Sequence, residues 1–210
     1  MIAKFSEAEP DSEEWLVDRI PYVTASAVAD VMAGGSGASR RNYLARKLCE
    51  SITGIPTKSF KSAKMQAGND REQTARELYE KITGNTVVKR PFAYIEEELL
   101  GASIDGDVVD TDGLVEIKNV MSAEQIDLLT TGKIKDKYVK QMQTQMYVLD
   151  KKWCDYVSVA LGDEESGELP NRLKVKIIRV ERDEVMILAI RKAVAFFWHD
   201  LKALKQKLGV

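Results

Sequence analysis

The chain has 210 residues, 44% of them hydrophobic, with 31 Lys or Arg against 33 Asp or Glu and a net charge of −2. That apolar content can build a substantial core, so a disordered chain is not the default expectation. One histidine, His199, and two distant cysteines, Cys49 and Cys154, exclude His–zinc and Cys–zinc sites and His-based hydrolases. Any catalysis must therefore run on carboxylates, lysine and a hard metal.

No apolar run is long enough to span a bilayer, and residues 1–7 show no signal-peptide segment, so a cytoplasmic protein with reduced thiols is expected. No repeat, low-complexity tract or linker interrupts the chain, which reads as a single domain over 1–210. A short helix over 12–18 leads into extended chain at 20–22. Thr24 then stands where an N-cap would start a helix to Met32. Residues 33–37 form a Gly-rich loop, 40–51 a helix, and 55–61 an irregular connection. Between Ser36 and Lys64 the bases Arg40, Arg41, Arg46, Lys47, Lys58, Lys61 and Lys64 face a single acid, Glu50. Such a block is a solvated helix face or a phosphate-binding surface.

A longer helix runs over 63–82 and ends at Gly84-Asn85. Ala75, Tyr79 and Ile82 share its apolar face, and Glu72 falls on the same stripe, where an acid is costly unless paired or metal-bound. Strands follow at 86–94, 101–104, 106–110 and 114–119, then helices at 122–131 and 136–149. Two more strands, 153–161 and 172–180, flank an acidic loop at 163–168, and a final amphipathic helix covers 181–208. This order predicts an α/β architecture, a central mixed sheet flanked by helices.

The chemistry concentrates in Leu114-Val115-Glu116-Ile117-Lys118, where polar and apolar residues alternate as on a strand with one buried face. Glu116 and Lys118 share a face, and Asp105-Gly106 lies one hairpin upstream. Two carboxylates and an ammonium aimed at one point suit a divalent cation beside an activated water, as in a metal-dependent phosphodiesterase. An acid-x-Lys tripeptide arises on the order of once or twice by chance in a chain this long. Asp150-Lys151-Lys152 is such a match, but it ends a helical pattern and lacks an upstream Asp-Gly turn.

Glu72, Asp105 and Glu116-Ile117-Lys118 together resemble the PD-(D/E)xK nuclease superfamily, with its restriction-endonuclease-like core. Within it, the chain resembles the phage lambda-type exonucleases, or YqaJ-like viral recombinases. Five pieces carry the likeness in order: 15–19 with 23–26, 68–72 with Ala75-Arg76, 103–106, 116–118 and 138–143. Ile104 stands where the superfamily has proline, a position that supplies no ligand.

The resemblance implies that Asp105, Glu116 and the Ile117 carbonyl bind Mg²⁺, and that Glu72 serves a second ion, with Mn²⁺ able to substitute. Lys118 would polarise the attacking water. Arg19, Ser26 and Gln141 would hold a 5′-terminal phosphate, Arg40 and Arg41 would track DNA, and Met65 would wedge the terminal base pair. The implied activity is a 5′→3′ exonuclease on linear double-stranded DNA with 5′-phosphorylated ends. It would release mononucleotides and leave a 3′ overhang for a single-strand annealing protein in phage recombination, acting as a ring-shaped homotrimer in a bacterial host's cytoplasm. The rival readings are a RecB-like nuclease of other polarity and a catalytically inactive DNA-end-binding module.

Overall fold

The computed structural model describes residues 3–33, 38–57, 63–162 and 167–210, with 63–70 described by their helical backbone alone. The elements run β1 (Lys4–Phe5), α1 (Glu13–Asp18), β2 (Val23–Thr24), a 3-10 turn (Ala25–Ala27), α2 (Val28–Met32), α3 (Ala38–Thr53) and α4 (Ala63–Thr83). Then come β3 (Val87–Val88), β4 (Ala93–Ile95), β5 (Leu100–Ala102), β6 (Gly106–Val108) and β7 (Gly113–Asn119). The chain closes with α5 (Ser122–Thr131), α6 (Asp136–Val148), β8 (Trp153–Val159), α7 (Asn171–Lys174), β9 (Val175–Glu181) and α8 (Glu184–Leu208). Among the described residues no helix is long and apolar enough to cross a membrane.

The strands form two mixed sheets where one was expected, ordered β1-β4-β5-β2 and β3-β6-β7-β8-β9. The stretch 86–94 does not hold as one strand. Val87–Val88 pair with β6, whereas Ala93–Ile95 pair with β1 and β5. Pro91 lies between them, and a residue without an N–H cannot carry a ladder onward. The chain changes sheets again between β5 and β6, and Asp105 sits in that crossing.

At the other end of the sequence, residues 171–174 are helical after Pro170, so the last strand runs to Glu181. The final helix accordingly begins at Glu184. Its N-cap is Asp183, whose carboxylate accepts from Val185 N at 2.9 Å and Met186 N at 3.1 Å. Thr24 occupies the N-cap position of the 3-10 turn, but its hydroxyl makes no capping bond.

The alternation read from β7 governs the packing of the larger sheet. Val115 and Ile117 join Val157, Val159 and the α4 residues Ala75 and Tyr79 in one apolar layer. Leu114 packs on the other face with Met142 and Met146 of α6. Ile82, expected on the buried stripe of α4, is instead 57% exposed in the last turn of that helix. α8 buries Ile190, Val194, Phe197 and Leu201 with α2 and the smaller sheet in a separate core.

Gly106 fits the fold through lack of a side chain, since a Cβ there would meet Val87 Cγ1 at 2.0 Å. β3 can therefore approach β6 closely at the residue that follows Asp105.

Candidate active site

Glu116 has no solvent exposure, which would be costly for a carboxylate without partners. It has three. Lys118 donates to its Oε1 from the same strand face, Gln141 Nε2 donates to Oε1 at 2.8 Å, and Gln145 Nε2 donates to Oε2 at 2.6 Å. Both glutamines come from α6, four residues apart and hence on one face. Tyr138, one turn earlier, places its ring 5.2 Å from Lys118 Nζ.

Asp105 approaches from the crossing. Its Oδ2 accepts the Ile117 backbone N–H at 2.7 Å, which fastens the crossing to β7. Burial, then the nearby Glu116 carboxylate, push Asp105 up to about 8, with Lys118 opposing and Glu72 adding to the rise. Burial draws the Lys118 ammonium down, but Glu116 and Asp105 outweigh it and hold the group above its ordinary value.

Glu72 is close enough to act on Asp105 electrostatically, yet its Oε1 is engaged by Arg76 at 2.7 Å and Lys89 at 3.4 Å. The Arg76 guanidinium is buried and also donates to the Asp105 carbonyl at 3.1 Å. Among the described residues no three His, Cys, Asp or Glu side chains group as a metal cluster. Two carboxylates therefore converge directly, and the third is held one ion pair away.

The donor set still fits a hard divalent cation. It is all oxygen, supplied by Asp105 and Glu116 with the Ile117 carbonyl on the same strand. The crowding that disfavours charge on Asp105 is the condition a cation between two carboxylates relieves.

Arg19 and Ser26 do come together. They line a cavity of about 320 Å³ with Thr24, Arg46, Lys47 and Thr57. The Arg19 guanidinium stacks 3.9 Å above the Trp15 ring, and its buried Nε has no partner among the described residues. Burial lowers the pKa of both Arg19 and Lys47. Glu50 provides an internal counter-charge, accepting from Lys47 Nζ at 3.0 Å and Thr57 N at 3.0 Å.

Gln141, expected beside Arg19 and Ser26, is bonded to Glu116 instead and does not line this cavity. The reason is the facing of α6, which turns residues 141 and 145 toward β7. Arg40 is likewise drawn inward, to Asp200 of α8 at 2.7 Å, leaving Arg41 as the exposed member of that pair. The Met65 side chain lies outside the described residues.

The sequence reasoning gave Gln145 and Arg76 no role in the site, and it named Arg46 and Lys47 only as members of the basic block. Gln145 could have been found from its i+4 spacing to Gln141, and Arg76 from its i+4 spacing to Glu72. His199 is on the surface near Asp200, apart from this site. Cys49 and Cys154 are both free thiols.

The profile of the YqaJ-like viral recombinase domain matches residues 14–152. No match is found among curated protein sequences. The chain is similar to the crystal structure of an alkaline exonuclease from Laribacter hongkongensis, with 38% identity over 94% of this chain and 96% of that one, and a TM-score of 0.80. The same enzyme in complex with dAMP gives 40% identity over 94% and 98% of the two chains, also at TM-score 0.80. A phage-related exonuclease from Haemophilus somnus 129PT shares the fold at TM-score 0.68, with 14% identity over 89% and 96% of the chains. The α/β core is thus restriction-endonuclease-like. With the profile covering most of its length, the chain belongs to the YqaJ-like viral recombinase family.

Proposed function

We propose that this protein is a Mg²⁺-dependent exonuclease that degrades one strand of linear double-stranded DNA from its 5′ end. It releases mononucleotides and leaves a 3′ overhang for a single-strand annealing partner. The observation that carries the reading is the convergence of Asp105, Glu116 and Lys118 at the crossing between the sheets. The family supports a nuclease. A related exonuclease in complex with dAMP supports a nucleoside monophosphate product.

Asp105, Glu116 and the Ile117 carbonyl would hold the first ion. Glu72 would serve a second on exchanging its ion pairs with Arg76 and Lys89, and Mn²⁺ would substitute in both. Bound there, the ions would lower the pKa of water and stabilise charge on the attacking and leaving oxygens. Lys118 Nζ, anchored by Glu116, offers donors to the incoming water and to a phosphate oxygen. Gln141 and Gln145 hold Glu116 in place as neutral donors that leave its charge available. The cavity with Arg19, Ser26, Arg46 and Lys47 supports 5′-end recognition, because a terminal phosphate carries more charge than an internal one.

The test is digestion of 5′- or 3′-end-labelled linear duplex with and without Mg²⁺, with circular duplex as control. Linear DNA is expected to lose its 5′ label first as mononucleotide, and circular DNA to persist. Glu116→Gln and Lys118→Met are expected to lose roughly 10²–10³-fold in rate while remaining folded. Metal-independent digestion, or full activity in Glu116→Gln, would overturn the reading. Release of the 3′ label first would favour the RecB-like polarity, and bound but uncut ends the inactive module.

A further inference from the structure

A carboxylate offers about four acceptor directions, and on Glu116 three are filled by side chains. Lys118 and Gln141 are partly exposed, whereas Gln145 is completely buried beside Met142 and Met146. Its Nε2 donates to Glu116 Oε2 at 2.6 Å and to the Ser103 carbonyl at 3.1 Å. Both amide hydrogens are therefore committed. Its Oε1 is buried without a partner among the described residues. Flipping the amide would set that oxygen against two acceptors, so the orientation is fixed.

A buried acceptor with no donor is unfavourable. Packing alone would favour methionine here, which has similar length and no orphaned oxygen. A second cationic side chain, added to Lys118, would orient Glu116 but compete with a metal ion for its charge. A neutral amide orients the carboxylate and preserves its charge. Ser103 immediately precedes Ile104-Asp105, so the same amide also bonds the connection that delivers the other carboxylate.

We infer that Gln145 is a positioning residue for the metal site. It locks the rotamer of Glu116 and ties it to the Asp105 crossing, leaving the last acceptor direction of Glu116 for the cation. This assignment rests on the metal-dependent reading given above. Gln145 acts through Glu116 and touches neither DNA nor the reacting atoms, so its loss affects metal affinity and turnover rather than substrate affinity.

The experiment compares parent, Gln145→Met and Gln145→Asn, the last keeping the amide but shortening its reach. Mn²⁺ binding is measured by calorimetry or electron paramagnetic resonance, without DNA. On linear duplex, kcat and KM are measured at fixed metal concentration, with circular dichroism and thermal midpoints as folding controls. Gln145→Met is expected to weaken Mn²⁺ binding about 10–100-fold and to lower kcat at least about tenfold, with KM for DNA within about twofold. Gln145→Asn is expected to move the same way, and it carries the test if Gln145→Met does not fold. A folded variant with parental Mn²⁺ affinity and kcat would overturn the assignment. So would a rise in KM with kcat unchanged, which marks a DNA contact. A parent that binds no Mn²⁺ would overturn the metal-dependent reading itself, and this inference with it.

Discussion

Arg19 and Gln141 were expected to share a phosphate pocket, but the structure gives them different neighbours. Arg19 lines the basic cavity with Ser26, whereas Gln141 grips Glu116. Arg19→Ala is expected to erase much of the preference for 5′-phosphorylated over 5′-hydroxyl ends while retaining cleavage. The loss corresponds to about 1.5–3 kcal/mol for one charge-assisted hydrogen bond. Gln141→Ala is expected to lower kcat alike on both ends. Initial rates of the two variants on the two substrates check this, and an equal effect of both variants on end preference would contradict it. The pairing of Glu116 with Lys118 was legible because strand alternation is a local rule that two residues suffice to express. The destination of Gln141 was not, because the face a helix presents is settled by packing against a strand distant in sequence. The ion pair of Arg40 was hidden for the same reason, its partner Asp200 lying 160 residues away.

At the scale of elements, α4 carries Glu72 and must be held in register with the sheet for that residue to reach the site. Part of the grip is polar. Tyr79 donates its hydroxyl to Asp155 of β8 at 2.9 Å, and Asn85 donates to the Tyr79 oxygen at 3.1 Å. Arg179 of β9 closes the network with two bonds to the same carboxylate, at 2.9 and 3.0 Å. Asp155 is buried, so Asp155→Ala leaves the Tyr79 hydroxyl without its acceptor and removes the ion pair of the half-exposed Arg179. We expect a loss of about 2–3 kcal/mol in unfolding free energy, against about 1 kcal/mol for Tyr79→Phe. Denaturant melts of both variants and of the double variant would show coupling between them, and strictly additive losses would refute the shared network. Helix positions were readable from apolar periodicity, and the division into two sheets was not. Its visible signal was Pro91, and a single proline does not say which partner each half-strand will take.

For the molecule as a whole, a net charge of −2 coexists with a basic cavity, so charge sign is partitioned by region rather than averaged. A closed ring of three copies with DNA through its centre accommodates that partition, because basic groups need only line the inside. Sedimentation is expected at about three times the 23.5 kDa chain mass. A monomer at micromolar concentration that still digests long duplexes processively would exclude the ring. Fold class was legible at this scale from the order of elements, but an interface between copies has no periodic signature in one chain.

The crossing from β5 to β6 has a practical consequence through the bond between Asp105 and the Ile117 amide. That N–H belongs to the larger sheet, and its acceptor belongs to the connection arriving from the smaller one. Its nuclear magnetic resonance shift and exchange rate thus register whether the two halves are properly docked. One backbone proton, labelled in isotope-enriched protein, serves as a native gauge of site assembly that requires no DNA, no turnover and no attached probe.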